Sequence, residues 1–296
     1  MIAAGVIGWP VAHSKSPLIH RFWLAKLGLD GDYGRFAVAP ERLGEAMRAL
    51  PALGLRGVNV TVPHKVTIMK HLDRVDPLAA GVGAVNTVVV EDGKLVGYNS
   101  DVAGFVAPLR DMLNQSRRPT NHVATHLDLI GTGGAARAVA YGWQTQGSDL
   151  TVYGRDATKA DRLVAEFGRG GVTGGGLSIA DLSRATVHDP ASLDMTLHRG
   201  EDQRYRYVVV NATTLGMPGQ PGITINLDWY PDDTIVYDLV YAPLETPLLA
   251  AARARGLRTI DGLAMLIGQA AAAFALFFDA AAPRKHDAEL RALLAA

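Results

Sequence analysis

Lys65 is the side chain whose surroundings in the sequence first suggest chemistry. The run Gly57–Lys65 reads GVNVTVPHK, in which valines alternate with Asn59 and Thr61. This period of two predicts a β-strand with one apolar and one polar face. Pro63 lacks the N–H that a central strand needs, so the strand ends there and Lys65 lies just beyond it. Such a lysine can hydrogen-bond a substrate hydroxyl and move its proton, or it is a plain solvated side chain.

Two serines precede the first predicted helix. Ser14 and Ser16 lie in a loop between the predicted strand Val6–Trp9 and a helical pattern of apolar residues that runs to Leu27. Hydroxyls beside a helix N-terminus suit a carboxylate, because free backbone N–H groups and the helix dipole favour negative charge there. The alternative is that Ser16 caps the helix, with Pro17 at its first position.

An aspartate follows a predicted hairpin. The strands Val88–Glu91 and Leu95–Tyr98 flank a turn at Asp92–Gly93. Asp101 comes shortly after the second strand, at the start of a helix, where an aspartate most simply acts as the N-cap. Strands alternate with helices through this half of the chain, which predicts βαβ units and a mostly parallel sheet.

A glycine-rich turn opens the second half of the chain. The stretch LDLIGTGGAARAVAYG reads as a strand, a turn and a helix, with Gly131, Gly133 and Ala136 in the GxGxxA form. Glycine at the second position lets a pyrophosphate approach the backbone, and the helix N-terminus receives its charge. We predict that a dinucleotide contacts Gly131, Gly133, Gly134 and Ala135.

The next predicted strand is Asp149–Tyr153. In a dinucleotide-binding fold, side chains just after this strand contact the 2′ position of the cofactor's ribose. An acidic residue there would bind the free 2′-hydroxyl of NAD, and basic residues would pair with the 2′-phosphate of NADP. Arg155 and Lys159 favour NADP. Asp156 either caps the following helix or repels the phosphate. We therefore predict NADP as the cofactor and keep NAD open.

Composition limits the functional classes. The chain has 296 residues with 29 basic and 29 acidic side chains, and this balance argues against a general nucleic-acid binder. The absence of cysteine excludes disulfides and thiolate metal sites. His122 and His126 do not form a convincing metal site, so we expect none. No basic segment opens the chain, and the longest apolar run, Leu263–Phe278, is short for a membrane span of about 20 residues.

The ordered segments HSKSP, NVTVPHK, GAVNT and GYNSDVAGF resemble the shikimate dehydrogenase family, whose members interconvert 3-dehydroshikimate and shikimate with a nicotinamide cofactor. The resemblance implies that Lys65 and Asp101 form the catalytic pair. Ser100 stands where the family usually has threonine and keeps the hydroxyl. The resemblance further implies substrate contacts for Ser14 and Ser16 with the carboxylate, for Asn59, Thr61, Asn86 and Asp101 with ring hydroxyls, and for Lys65, Tyr241 and Gln269.

The resemblance continues through NATTLGM, VYAPLETPLL and DGLAMLIGQ. It implies that the cofactor is contacted by Thr213, Leu239, Gly262 and Met265. Gln269 is a lone amide on an apolar helix, so the alternative is that it faces the cleft between domains without a ligand. Two segments receive no function: a polar surface linker, Asn114–His122, and the glycine-rich loop Gly168–Gly176 with the longer stretch after it.

We therefore predict two α/β domains around a cleft. Residues 1–105 and 241–296 would form a substrate-binding catalytic domain with a mainly parallel sheet, and residues 106–240 a Rossmann-like NADP-binding domain. The implied activity is the reversible NADPH-dependent reduction of 3-dehydroshikimate to shikimate, in the biosynthesis of chorismate and aromatic amino acids. The alternatives are an NAD-preferring quinate/shikimate dehydrogenase and a catalytically silent nucleotide-binding regulator. We expect a cytoplasmic monomer or homodimer with no nucleic-acid or membrane partner.

Overall fold

The computed structural model describes residues 1–115, 124–144, 149–168 and 205–295. The predicted linker Asn114–His122 and the glycine-rich loop Gly168–Gly176, with the stretch that follows it, lie mainly outside these residues. In the described ranges, no helix is both long enough and apolar enough to cross a membrane.

Strands and helices alternate along the described chain, which confirms the predicted α/β class. In the first part the elements are β1 Ile2–Gly8, α1 Ser16–Leu27, β2 Gly31–Ala37, α2 Leu43–Ala49, β3 Leu55–Val60, β4 Arg74–Val75, α3 Pro77–Val82, β5 Thr87–Glu91, β6 Lys94–Tyr98 and α4 Asp101–Asn114. In the second part they are β7 Ala124–Ile130, α5 Gly134–Gln144, β8 Asp149–Tyr153, α6 Ala157–Phe167, β9 Tyr205–Asn211, β10 Ile235–Asp238, α7 Pro247–Ala254, β11 Arg258–Ile260, α8 Gly262–Phe278 and α9 Asp287–Ala295.

The chain forms two units. The first contains Met1–Gly104 and Leu266–Ala296, and the second contains Phe105–Met265. Both boundaries fall inside helices, α4 and α8. The sequence placed residues 241–265 with the first unit, but β11 pairs with β10, so these residues group with the second.

The first unit is built on a six-stranded sheet in the order β2-β1-β3-β5-β6-β4. β1 is parallel to β2 and β3, whereas the hairpin strand β5 is antiparallel to both β3 and β6. The turn of this hairpin is Asp92–Gly93, and both residues have positive φ, as a two-residue type I′ turn requires. Val58 and Val60 pack into the buried core with Ile7 and Met47, as the period-two pattern predicts.

The second unit contains a five-stranded parallel sheet in the order β11-β10-β9-β7-β8. The strand order reverses between β7 and β9, which is the arrangement of a doubly wound Rossmann-like sheet. Both sheet faces are buried, so alternate residues of β7 enter different cores. Leu127 and Leu129 pack against α4, α5 and α6, while Ile130 packs against α7.

A carboxylate interrupts the apolar face of β7. Asp128 is buried and accepts hydrogen bonds from Tyr230 Oη at 2.8 Å and Tyr153 Oη at 3.3 Å. Burial raises the pKa of both phenols well above the ordinary value, and the neighbouring carboxylate acts in the same direction. The tyrosines therefore stay neutral donors that satisfy the charge inside the core.

The segment after Lys65 forms a short 3-10 helix, Thr67–His71. Its first residues, Thr67 and Ile68, are β-branched and form α-helix poorly, and no side chain caps its start. This segment therefore forms a short 3-10 helix and not an α-helix.

Candidate active site

Four chain segments meet at one edge of the first sheet. β1 and β3 are parallel, so the loops after Gly8 and Val60 leave the sheet on the same side, and Trp9 N donates to Val62 O at 3.0 Å. β5 runs the other way and begins at this edge just after Asn86, while β6 ends there. This topology brings together predicted site residues that are distant in sequence: Ser14, Ser16, Asn59, Thr61, Lys65, Asn86 and Asp101.

Lys65 and Asp101 form a largely buried ion pair. Lys65 Nζ lies 2.6 Å from Asp101 Oδ2, and the two side chains are 16% and 5% exposed. The other carboxylate oxygen, Oδ1, accepts from Asn86 Nδ2 at 2.9 Å. The carboxylate is therefore held at both oxygens, and it fixes the lysine ammonium at the sheet edge.

Asp101 does not cap α4. It is the first residue of the helix, and the capping acceptor is Asn99 Oδ1, which receives a hydrogen bond from Val102 N at 3.2 Å. The capping interpretation of Asp101 is thus wrong. Its carboxylate still lies in the first helical turn, where the helix dipole favours negative charge.

Asn86 is the centre of a buried polar network. Its Nδ2 donates to Ser100 Oγ and to Asp101 Oδ1, both at 2.9 Å, and its Oδ1 accepts from Ser100 N at 2.7 Å. Ser100 Oγ in turn lies 3.4 Å from Oε1 of Gln269. Because both N–H groups of Asn86 are used, this amide supports the Asp101 carboxylate. A direct bond from its nitrogen to a substrate hydroxyl would have to replace one of these two.

Asn59 is fixed by a residue that the sequence did not single out. Tyr33 Oη donates to Asn59 Oδ1 at 2.6 Å, and Asn59 Nδ2 donates to Asn86 O and to Thr87 Oγ1. Burial raises the pKa of Tyr33 well above its ordinary value, with a weaker opposite effect from a hydrogen bond to Ser16. Tyr33 therefore remains a neutral donor that orients the amide.

The Ser14–Ser16 loop is held by two cationic side chains. Arg35 donates from Nε and Nη2 to the Ser14 carbonyl at 2.9 and 2.7 Å. Lys15 Nζ donates to the carbonyl of Leu294 in α9. Both serine side chains are buried, and Ser14 Oγ accepts from Ser16 N at 3.3 Å. The N-cap position is Lys15, so the alternative that Ser16 caps the helix is wrong.

Thr61 and Gln269 complete the predicted set in the first unit. Thr61 is half-buried, and a Cβ added to Gly8 would lie 2.5 Å from its methyl carbon, so glycine is needed for this approach. Gln269 is buried and donates from Nε2 to Leu266 O at 3.0 Å. Tyr241, half-buried, belongs to the second unit, and its substrate contact stays a prediction.

The glycine turn in the second unit has the geometry of an anion cradle. Gly131 has φ of +123°, and a Cβ there would lie 3.0 Å from Ala212 O. A Cβ on Gly133 would meet nothing within 4 Å, so the backbone is open to a ligand there. Gly134 and Ala135 begin α5, whose first turn carries no acidic residue. Its free N–H groups are therefore available to a phosphate.

Asp156 is the N-cap of α6. Its Oδ1 accepts from Lys159 N at 3.2 Å, and Lys159 Nζ lies 3.4 Å from its Oδ2. The capping bond is the main reason why the pKa of Asp156 lies below its ordinary value. The Asp156 carboxylate thus caps the N-terminus of α6, while the Arg155 side chain is exposed just after the end of β8.

The ends of β9 and β10 are tied together by buried polar groups. Asn211 Oδ1 accepts from Thr213 N and Oγ1, and Asn211 Nδ2 donates to Asp238 Oδ1 at 2.8 Å. Asp238 also accepts from Thr246 Oγ1 at 2.6 Å, and burial raises its pKa. The sequence singled out Thr213 but not the aspartate that supports this turn.

The remaining predicted cofactor residues also lie in the second unit. A Cβ on Gly262 would lie 2.5 Å from the carbonyl oxygen of Leu239, so only glycine lets α8 begin so close to the chain after β10. Met265 is buried in the same core that Leu239 contacts. His126, by contrast, is buried with its Nε2 3.0 Å from Thr151 Oγ1. No group of three His, Asp or Glu side chains in the described ranges could hold a metal.

Comparison with known proteins shows which family this chain resembles. Residues 6–88 match the family model described as the shikimate dehydrogenase substrate binding domain. The NADP(+) shikimate dehydrogenase of Sphingopyxis alaskensis is 45% identical over 298 residues, which cover 99% of this chain and 97% of that protein.

Two solved structures are also similar. Shikimate 5-dehydrogenase from Thermus thermophilus, in complex with NADP(H) and shikimate, has a TM-score of 0.76 at 32% identity, covering 99% of this chain and 100% of that chain. Quinate dehydrogenase from Corynebacterium glutamicum, in complex with NAD, has a TM-score of 0.80 at 31% identity, covering 99% of each chain. With an identity of 45% along nearly its whole length, this chain belongs to the shikimate dehydrogenase family.

Proposed function

We propose that this protein catalyses the reversible NADPH-dependent reduction of 3-dehydroshikimate to shikimate, in the biosynthesis of chorismate and aromatic amino acids. The observation that carries the proposal is the buried Lys65–Asp101 pair, 2.6 Å apart, at the sheet edge where the loop with the two serines also begins. The pair lies in the unit that matches the substrate-binding family model, and a relative of about the same length is named as an NADP(+) shikimate dehydrogenase. We assign substrate binding and catalysis to the first unit and cofactor binding to the second.

The residues of the second unit fit NADP. Gly131 and Gly133 leave the turn open, and the N-terminus of α5 offers free N–H groups without a nearby acidic side chain. Arg155 would face the 2′-phosphate, with Lys159 one turn along α6. Thr213, Leu239, Gly262 and Met265 would lie along the nicotinamide half. When bound, NADPH supplies the hydride that reduces the ring ketone.

Lys65 would bind and protonate the substrate oxygen. As hydride reaches the carbonyl carbon, negative charge develops on this oxygen, and an ammonium group beside it stabilises the charge and donates the proton. Asp101 accepts one N–H of Lys65 and so directs the others toward the substrate. Asn86 holds the Asp101 carboxylate in turn.

Ser14 and Ser16 would bind the substrate carboxylate. Ser14 Oγ accepts a hydrogen bond from Ser16 N, so its own O–H remains a donor for an anion. Arg35 adds positive charge next to the loop, since its guanidinium holds the Ser14 carbonyl. We propose that Asn59, Thr61, Gln269 and Tyr241 complete recognition of the ring, as the family resemblance implies.

Asp156 bears on the choice of cofactor. An NAD-preferring quinate or shikimate dehydrogenase would use an acidic residue on the ribose hydroxyls, but here this carboxylate caps α6 and pairs with Lys159. This engagement favours NADP. We further propose that the protein works in the cytoplasm as a monomer or homodimer and binds no nucleic acid. Light scattering on the purified protein would give its oligomeric state.

Initial rates of cofactor reduction test the proposal. Shikimate and quinate should each be assayed with NADP and with NAD, and shikimate with NADP should be the best combination. Lys65→Ala should lower kcat by about 10²- to 10⁴-fold, the usual contribution of a positioned acid–base group. The matched control is Lys70→Ala, an exposed lysine nearby, which should keep the wild-type rate. Full activity in Lys65→Ala would refute the catalytic assignment, and no turnover of either substrate would refute the function.

A further inference from the structure

The side chain of Thr132 fills the space where a side chain at Gly154 would lie. This contact joins two neighbouring turns. Thr132 lies in the glycine turn after β7, and Gly154 lies directly after β8, which pairs with β7. A Cβ added to Gly154 would lie 2.6 Å from Thr132 Cγ2, closer than real Cβ contacts come. The methyl group of Thr132 therefore takes the place that any side chain at position 154 would need. Threonine can therefore adopt this position at 132 only while residue 154 is glycine.

The hydroxyl of Thr132 is available for a ligand. Thr132 is half-buried, and in the part of the chain that the structure describes its Oγ1 makes no hydrogen bond. This oxygen would lie 3.7 Å from a Cβ on Gly154, farther than the methyl carbon, so packing against the glycine is left to the methyl. A threonine packed in this way has little χ1 freedom, and its hydroxyl is held in one direction.

The surroundings suit a phosphate monoester. Arg155 follows Gly154 directly and is exposed at the carboxyl end of β8, where a doubly wound sheet places the ribose of a dinucleotide. The one nearby acidic group in the described turn, Asp156, accepts from Lys159 N and lies 3.4 Å from Lys159 Nζ. A guanidinium and a free hydroxyl on adjacent turns are a typical donor pair for phosphate oxygens.

We infer that Thr132 is a specificity-determining residue that donates its hydroxyl to the 2′-phosphate of NADP beside Arg155. Gly154 permits this contact, because its lack of a side chain lets Thr132 stand against the backbone. The inference rests on the proposed use of NADP. The Thr132 hydroxyl, in the glycine turn after β7, would be a further hydrogen-bond donor to the phosphate. It would act together with the cationic side chains of Arg155 and Lys159 after β8.

Binding measurements without turnover test the inference. Dissociation constants of NADP and NAD would be measured by calorimetry for the wild type, Thr132→Val and Thr132→Ser. Valine keeps the methyl contact and removes only the hydroxyl, so NADP should bind about tenfold more weakly while NAD changes by less than about twofold. Serine keeps the hydroxyl and should retain most of the preference for NADP. An equal effect of Thr132→Val on both cofactors, or none, would overturn the inference.

A double-mutant cycle tests the steric dependence. Gly154→Ala alone should weaken the binding of both cofactors, because its methyl collides with Thr132. Adding Thr132→Ala should recover NAD binding but not the preference for NADP. If the losses of cofactor affinity in the two single variants simply add in the double variant, the proposed steric coupling between Gly154 and Thr132 is refuted. The Thr132→Val variant tests the role of the hydroxyl separately. Failure of the proposed function would look different: the wild-type protein itself would bind neither cofactor or leave shikimate unoxidised.

Discussion

His20 should make the folded protein less stable in acid. Its imidazole is fully buried in the first unit, stacked on the Tyr33 ring at 4.0 Å and surrounded by Phe274, Phe277 and Phe278. Neither ring nitrogen has a hydrogen-bond partner within the described residues. Burial without a partner disfavours the charged form, and it lowers the pKa of His20 to about 3.

The size of the effect follows from proton linkage. In the unfolded chain this histidine takes up a proton as the pH falls through 6.5, whereas the folded protein keeps it neutral until about pH 3. The unfolded state therefore binds more protons in this window, and the free energy of unfolding falls with falling pH. The full stability is present above pH 6.5, and about 2 kcal/mol is lost between about pH 7 and pH 5.

Urea unfolding at these two pH values measures the loss. His20→Phe keeps an aromatic ring but removes the titrating group, so its stability should fall by about 2 kcal/mol less than that of the wild type between about pH 7 and pH 5. The control is His13→Phe, at an exposed histidine in contact with water, which should keep the wild-type loss. If His20→Phe loses as much stability as the wild type, the reasoning that burial excludes the proton is refuted.

Three further substitutions give separate tests. Arg35→Leu removes the double hydrogen bond to the Ser14 carbonyl, so the KM for shikimate should rise about fivefold with the KM for NADP unchanged in steady-state kinetics; a rise in both would contradict this reasoning. Tyr33→Phe leaves the buried Asn59 Oδ1 without this donor and should lower the free energy of unfolding by about 1–3 kcal/mol in urea. Tyr230→Phe removes the shorter bond to the buried carboxylate of β7 and should cost a similar amount, whereas an unchanged urea midpoint would mean that water replaces the phenol.

Local patterns predicted the elements that carry the site. The alternating valines of β3 and the glycine turn before α5 are strong signals because each depends only on neighbouring residues. The helix caps were less predictable: the N-cap of α1 is Lys15, not Ser16, and Asn99, not Asp101, supplies the capping acceptor of α4. A shift of one or two residues decides which side chain caps and which is free for chemistry, and composition does not determine that shift.

Supporting contacts between distant residues could not be predicted. Tyr33 and Asn59 lie 26 residues apart, and Arg35 reaches Ser14 over 21 residues. Their partnership depends on the order β2-β1-β3, which a period-two pattern does not specify. Asp128 is a further case, because a carboxylate in a central strand normally argues against burial, and only the tertiary structure supplies its two tyrosine donors.

The two-residue turn between β5 and β6 determines how the polar network is aligned. The register runs from Glu91 opposite Lys94 at the turn to Thr87 opposite Tyr98 at the other end, a distance of about 14 Å along the strands. One inserted residue in the turn would slip this register, moving every side chain of β6 to the opposite face and separating Asn86 from Asp101. Natural selection on the alignment of Asn86 with Asp101 therefore acts also on the length of a remote surface turn. In this hairpin an insertion would be more damaging than most substitutions.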